Sequence, residues 1–128
     1  MRPRVEEILE EVRLRLDAAG FSGPVTLDGG QGNDTLVGGD DNDILTGGPG
    51  TDRVEQAADS DQVLTDNSLT GNGNDTLLTI ERALLTGGAS NNTLDSSGFT
   101  LGSVTLQGLA GDDTLLGSGG NDLLDGGT

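Results

Sequence analysis

Three aspartates stand nine residues apart in the most regular stretch of the chain, residues 29–55. Asp34, Asp43 and Asp52 each occupy position six of a nonapeptide that opens with Gly-Gly and has an aliphatic residue at position eight. If two nonapeptides form one coil, aspartates 18 residues apart lie on the same edge of adjacent coils, about 5 Å apart. Carboxylates at that distance repel by roughly 1 kcal/mol in water and by several kcal/mol at a lower dielectric. The spacing therefore predicts a cation between them.

The oxygen donors in these turns indicate which cation would bind. Ca²⁺ takes about six to eight oxygens from carboxylates and backbone carbonyls in a flexible geometry, and Gly-rich turns expose their carbonyls. Mg²⁺ is less suited, because it needs octahedral geometry and keeps its water. Zn²⁺ is disfavoured, because the chain has no His and no Cys. We therefore expect several bound Ca²⁺ ions.

Composition argues against several other functions. The chain has 22 acidic and 6 basic residues, a formal net charge of −16, which disfavours nucleic acid as a partner. Without His there is no H-E-x-x-H motif and no His-based triad, and without Lys there is no P-loop. No apolar run approaches the roughly 20 residues of a membrane span. We expect a protein that is not an enzyme and has no catalytic residues.

The nine-residue frame continues on both sides of residues 29–55 and predicts a single repeat domain over 20–128. An insertion at 65–69 breaks the frame, and the pattern is irregular over 65–107. Two further copies occupy 108–125. With 18 residues in each coil, the domain would hold about six coils.

The last three residues of each nonapeptide predict a short strand whose central residue points inward. The expected core is a stack of the aliphatic residues at this position, namely Leu27, Leu36, Leu45, Val54, Val63, Leu77, Leu94, Leu115 and Leu124.

Residues 1–19 differ from the rest of the chain and predict an amphipathic helix. The apolar residues expected on its buried face are Val5, Ile8, Leu9, Val12 and Leu16. Such a helix would cap the first coil, because the terminal repeats of a solenoid need covering. A partner-binding helix is the alternative, and the alternation from Val12 to Leu16 also fits a strand.

The pattern G-G-x-G-x-D-x-U-x, where U is aliphatic, resembles the RTX (repeats-in-toxin) family of hemolysin-type calcium-binding repeats. The resemblance covers about residues 20–128 and is strongest over 29–64 and 108–125. It implies an all-β solenoid, a right-handed parallel β-roll or β-helix, with Ca²⁺ held between successive turns. It also implies a secreted bacterial protein that is exported by type I secretion and folds on extracellular calcium.

Carried over to this sequence, the resemblance implies calcium ligands at position six of each repeat. The side chains are Asp34, Asp52, Asp43, Asp61, Asp75, Asn92, Asp113 and Asp122. The expected pairs are Asp34 with Asp52, Asp43 with Asp61, and Asp75 with Asn92. The turn carbonyls expected to join them are those of Gly30, Gly32, Gly39, Gly48 and Gly50.

Other functions remain open at this point. A surface-recognition solenoid, such as an adhesin or an ice-binding protein, needs an unbroken ladder of Thr, but Ile44, Arg53 and Gln62 interrupt the Thr residues at position seven. The segment could also be the C-terminal module of a secreted hydrolase, or an engineered fragment whose helix is an artificial cap. An exposed terminal coil would allow end-to-end stacking or dimerisation.

Overall fold

The structure, a computed structural model, describes residues 23–128 and the backbone of residues 13–15. This part of the chain contains strands and turns but no helix. The strands are β1 (Arg13–Arg15), β2 (Thr26–Asp28), β3 (Thr35–Val37), β4 (Ile44–Thr46), β5 (Arg53–Ala57), β6 (Gln62–Thr65), β7 (Ser68–Thr70), β8 (Asn74–Leu78), β9 (Arg82–Thr86), β10 (Thr93–Gly98), β11 (Val104–Gln107), β12 (Thr114–Leu116) and β13 (Leu123–Asp125).

The strands form two sheets, as expected for a solenoid whose coils each contribute to both faces. Sheet I has the order β1-β3-β5-β9-β11-β13, and all its neighbouring strands are parallel. Sheet II has the order β12-β10-β6-β7-β8-β4-β2. Its pairs are parallel except those made by β7, which is antiparallel to both β6 and β8. The all-β class and the parallel sheets agree with a β-roll.

The predicted N-terminal helix is wrong for residues 13–15. These form β1, which is parallel to β3 with Arg13 opposite Thr35. The alternating pattern from Val12 to Leu16 was therefore the better guide here, because a free strand edge on sheet I is available for pairing. The other residues of the predicted helix lie outside the described part of the chain.

The core lies between the two sheets and is one residue wide in the regular coils. Leu36 and Val54 from sheet I meet Leu45 and Leu77 from sheet II, and each is at most 1% exposed. Strands β5, β9 and β11 are longer and turn two side chains inward instead of one. Phe99, which follows β10, is fully buried and belongs to the same cluster.

An antiparallel hairpin replaces a simple coil where the frame breaks. Thr65 begins the reversal, because its hydroxyl accepts a hydrogen bond from the Ser68 N–H at 3.1 Å. Leu69 then pairs with Leu64 of β6 and with Asp75 of β8. As a result β8, and not β6, stacks on β4. The chain passes from β5 to β6, returns through β7 to β8, and only then reaches β9, which pairs with β5.

The expected core register is wrong at Val63. Val63 is 42% exposed, whereas its neighbours Gln62 and Leu64 are fully buried. The buried Gln62 amide is satisfied, because it donates to the carbonyls of Ala58 and Thr86 at 3.1 and 2.9 Å. A shift of one residue exchanges the two faces of a strand.

The prediction of inward residues also fails at the C-terminal coil. Leu124 is 46% exposed and Leu115 only partly buried, since β13 and β12 are the edge strands of their sheets. The other six predicted core residues are buried: Leu27, Leu36, Leu45, Val54, Leu77 and Leu94.

Truncation of adjacent residues in β6 tests the observed register. We expect Leu64→Ala to lower the free energy of unfolding by about 2–5 kcal/mol, because it leaves a cavity between the sheets. Val63→Ala, the matched control, should cost less than about 1 kcal/mol because its side chain is largely in solvent. Urea-induced unfolding measures the free energy of unfolding of both variants. A larger loss for Val63→Ala would show that Val63, and not Leu64, faces the core as the nine-residue frame predicts.

Candidate metal centre

Glycines allow successive turns on one side of the solenoid to approach closely, so that carbonyl oxygens lie between the turns. Gly48 and Gly50 have φ of 93° and 123°, in the left-handed region that favours glycine. A Cβ at Gly48 would collide with the carbonyl oxygen of Gly30, and one at Gly50 with that of Gly32. The carbonyls of Gly30 and Gly32 therefore lie directly against the next turn, as a cation site between turns requires.

Carboxylates at position six connect the turns that lead into sheet I, which we call edge I. The Asp34 N–H donates to Asp52 Oδ1 at 2.8 Å, and the Asp52 N–H donates to Glu81 Oε1 at 2.9 Å. Asp34 and Asp52 are both buried. Asp52 Oδ2 is buried too and has no hydrogen-bond partner among the described residues. Asp34 and Asp52 thus lie in neighbouring turns of edge I, and their joint binding of a cation stays a prediction.

Glu81 is a member of this row that the sequence analysis did not include. It stands in a unit of only eight residues, 79–86, where Glu replaces the usual Asp and no Gly precedes it. Its one available signal was its place immediately before a strand, which it shares with Asp34, Asp43 and Asp52.

The turns that lead into sheet II, edge II, repeat the arrangement with different partners. Asp43 Oδ1 accepts the Val25 N–H at 3.0 Å, and the Asp43 N–H donates to Asp75 Oδ1 at 2.9 Å. The expected pair of Asp43 with Asp61 is therefore wrong. The hairpin displaces β6 from β4, and the exposed Asp61 instead accepts the Thr93 N–H at 2.8 Å.

The expected pair of Asp75 with Asn92 is wrong for the same reason. The Asn92 N–H donates to Asp113 Oδ1 at 2.8 Å, one coil further along edge II. Asp113 Oδ2 is buried without a hydrogen-bond partner in the described residues. Asp122, on edge I, accepts the Val104 N–H at 2.9 Å and the Ser118 hydroxyl at 2.8 Å.

A second row of side chains, at position five, ties the same turns together. Asn33 Oδ1 accepts the Thr51 N–H at 2.9 Å, and Asn42 Oδ1 accepts the Asn74 N–H at 2.8 Å. Asn91 makes the equivalent bond in the C-terminal half. The recurrent Asn at this position is visible in the sequence, but its bridging role depends on how the turns stack. These three bridging amides are neutral and hold the turns in register without adding charge.

Two of the position-six carboxylates, Asp52 and Asp75, lie where burial disfavours their charge. Burial raises the pKa of Asp75 to about 7. The nearby charge of Asp43 also raises this pKa, whereas the hydrogen bond from the Asp43 N–H lowers it. Burial also raises the pKa of Asp52, with smaller contributions from the charges of Asp34 and Glu81. A cation between the turns would remove this penalty by neutralising both carboxylates.

Carboxylates in the irregular middle of the chain have a different environment. Asp59 accepts the Ser90 N–H at 3.0 Å, and Asp66 accepts the N–H and the hydroxyl of Thr100, both at 2.6 Å. These hydrogen bonds lower the pKa of Asp59, chiefly through Ser90, and that of Asp66, chiefly through the Thr100 hydroxyl. Neutral donors therefore stabilise these charges directly, and no cation is required there.

The donors on both edges fit Ca²⁺. Within residues 23–128 no three carboxylates converge on one point, so any metal between the turns must also use carbonyl oxygens, which edge I supplies at Gly30 and Gly32. The available donors are all oxygens, and the buried Asp52 Oδ2 is a free acceptor. This mixture of carboxylate and carbonyl oxygen is what Ca²⁺ prefers.

Comparison with known families gives the same result. The model of the RTX calcium-binding nonapeptide repeat matches residues 26–63 and 105–128, with four copies. These two segments are RTX calcium-binding nonapeptide repeats. RTX repeats bind Ca²⁺, and the family is a structural calcium-binding module. No curated protein and no solved structure shows a significant match to the chain. Over residues 23–128 the chain has no helix that could span a membrane.

The raised pKa of Asp75 predicts a pH dependence of the calcium-free fold. A carboxyl whose pKa is higher in the folded than in the unfolded state favours folding when it is protonated. The contribution of Asp75 to the stability of the calcium-free fold should therefore be greatest near pH 4. It should decline as the pH rises to about 7.

The folded fraction of the chelator-treated protein, measured by circular dichroism between pH 4 and 7, tests this effect and should be larger at the acidic end, with Asp75→Asn as the control. The variant lacks the titrating group, so the decline between pH 4 and 7 should become shallower. An unchanged pH profile in Asp75→Asn would show that Asp75 is not the group responsible.

Proposed function

We propose that this chain is the calcium-dependent structural module of a secreted bacterial RTX protein, and that it folds as Ca²⁺ binds between stacked turns. The observation that carries the proposal is the row of buried carboxylates on edge I, where Asp52 Oδ2 is buried without a hydrogen-bond partner among the described residues. An unsatisfied buried carboxylate oxygen costs several kcal/mol unless a counter-charge is supplied.

On edge I, the proposed ligands are the side chains of Asp34 and Asp52 with the carbonyls of Gly30 and Gly32. Asp52 is shared with a further site towards Glu81, to which the carbonyls of Gly48 and Gly50 are the candidate contributors. This assignment is supported by the contacts between successive turns.

On edge II, Asp43 and Asp75 are the proposed pair, with the carbonyl of Gly39 as a further candidate. That carbonyl already accepts a hydrogen bond from the Asn72 amide at 3.3 Å, which places the Asn72 turn above it. Asp113 and Asp122 are proposed ligands of the C-terminal coils. Asp61 is not proposed as a partner of Asp43, because it accepts the Thr93 N–H. Asn92 is not proposed as a partner of Asp75, because its N–H donates to Asp113.

The mechanism is metal-linked folding. The unfolded chain does not hold the paired carboxylates in place, so calcium binds the folded state preferentially and stabilises it by RT ln(1 + [Ca²⁺]/Kd) for each site. Because the chain has a net charge of −16, bound Ca²⁺ also stabilises the compact state by reducing the repulsion between carboxylates. Such a chain stays largely unfolded where calcium is scarce and folds where it is abundant.

This behaviour suits export by type I secretion followed by folding outside the cell. We propose that residues 20–128 form a right-handed β-roll of about six coils, in which β12 and β13 are free edges for end-to-end association. An ice-binding Thr ladder receives no support, since Thr35 is followed across sheet I by Arg53 and Arg82.

Calcium titration tests the proposal. We expect the circular dichroism spectrum to change from largely disordered in chelator to β-rich with Ca²⁺, and calorimetry to register bound metal. No spectral change together with no calcium uptake would refute a calcium-binding function.

Two matched substitutions test the edge II assignment. Asp75→Asn should weaken calcium binding at one site by at least about tenfold, because it removes a ligand charge. Asp61→Asn removes the same charge from a neighbouring turn that has no proposed site, and should leave that affinity within about twofold. The reverse ranking would favour the pairing expected from the 18-residue spacing.

A further inference from the structure

Two arginines lie side by side on the outer face of sheet I. Arg53 and Arg82 are the only cationic side chains in residues 23–128, a segment rich in Asp and Glu. They are register partners on the adjacent parallel strands β5 and β9. Like charges that face each other on neighbouring strands are destabilising. The arrangement therefore needs a compensating anion.

The described residues supply only part of that compensation. Arg53 Nη2 forms an ion pair with Glu55 at 2.6 Å, while Arg53 Nε is buried with no hydrogen-bond partner. Arg82 is exposed and has no ion pair in the described part of the chain. Among these residues Glu55 thus compensates Arg53 and not Arg82, and the exposed guanidinium of Arg82 remains available to an anion.

Neutral polar groups flank the two arginines in a pair of shallow grooves. On one side are Asn33, Thr35 and Thr51. On the other side are Ser103, Thr105 and Asn121. Hydroxyl and amide groups can donate to oxygens next to an anionic centre, and Arg binds planar or tetrahedral oxyanions through two parallel N–H bonds.

We propose that Arg53 and Arg82 form an oxyanion site that binds the carboxylate or sulfate group of an acidic ligand. The site lies beside the turns of edge I, which supply Asn33 and Thr51 to one of its grooves. It lies on the outer face of sheet I, open to solvent, and thus suits a group presented on a larger molecule.

Calcium should control this site, an aspect that rests on the proposed function. Asp52 and Glu81 directly precede Arg53 and Arg82, and Asp34 and Asp122 border the two grooves. Without calcium the chain is largely unfolded, so the two arginines are not held side by side, and in any folded fraction these carboxylates oppose an incoming anion. Bound Ca²⁺ neutralises them, and the positive potential of the arginine pair then dominates locally.

Calorimetric titration of the full chain with sodium sulfate and with sodium glucuronate tests the site, in chloride buffer with calcium and with chelator. Glucose is the uncharged control for glucuronate. We expect binding that is at least about tenfold tighter with calcium, and no binding of glucose. A preference between the two anions identifies the source of the oxyanion, since one presents a tetrahedral and the other a planar group.

Variants separate a local site from a general effect of charge. Arg82→Gln should weaken the affinity at least about tenfold, whereas Arg82→Lys should keep part of it because the charge remains. Glu55→Gln should strengthen binding several-fold by releasing Arg53. Asp40→Asn changes the net charge by the same amount on an exposed turn of edge II, and should have no effect.

The outcomes distinguish this proposal from the calcium function. Calcium uptake without binding of either anion refutes the oxyanion site and leaves the calcium function intact. Equal gains from Glu55→Gln and Asp40→Asn also refute it, because only net charge would then matter. Anion binding that requires the arginines but is the same in chelator supports the site and refutes its control by calcium.

Discussion

The fold depends on one contact, the hydrogen bond from a backbone N–H to the position-six carboxylate of the neighbouring turn. It recurs on both edges, from Asp34 to Asp52 and from Asp43 to Asp75. The core between the sheets is too narrow to fix the stacking of the coils alone. The contact aligns the turns but also brings two carboxylates together in a buried place. The same interaction therefore gives the coils their register and creates their requirement for a cation.

The chain solves this charge problem in two ways. In the regular repeats the carboxylates face one another, and burial raises the pKa of Asp52 and Asp75. In the irregular middle, Asp59 and Asp66 face hydroxyls and backbone N–H groups, which lower their pKa. The first arrangement depends on an external ion and the second does not. Where the nonapeptide pattern is lost, hydroxyls and backbone N–H groups of the chain itself thus stabilise the carboxylates.

The sequence predicted the fold class, the ion and the regular part of the core, because all three follow from the strict nine-residue period. Asp34 and Asp52 could be placed in neighbouring coils, since no insertion breaks the nine-residue frame between them. Asp43 could not be paired correctly, because its partner depends on where a five-residue insertion places β6. Insertion length does not reveal whether a chain bulges outward or adds a strand.

The error at Val63 has a related cause. Residues 56–64 keep the periodic spacing of Asp and Val, yet Gln62 and Leu64 face inward. A buried Gln is not expected from pattern alone. The buried Gln62 is tolerated because its amide is fully hydrogen-bonded, to Gln56 and to two backbone carbonyls. The local sequence gives no sign of these partners.

The antiparallel strand β7 has a consequence for the uniqueness of the fold. An array of equivalent repeats can stack in several frames that differ by a whole coil, because each repeat fits its neighbour's place almost equally well. Such slippage would leave the hydrogen-bonding pattern intact and would be hard to reject by energy alone. The hairpin of β6, β7 and β8 has no counterpart elsewhere in the described sheets, and it fits only between β4 and β10. One irregular element thus removes the degeneracy that the regular ones create.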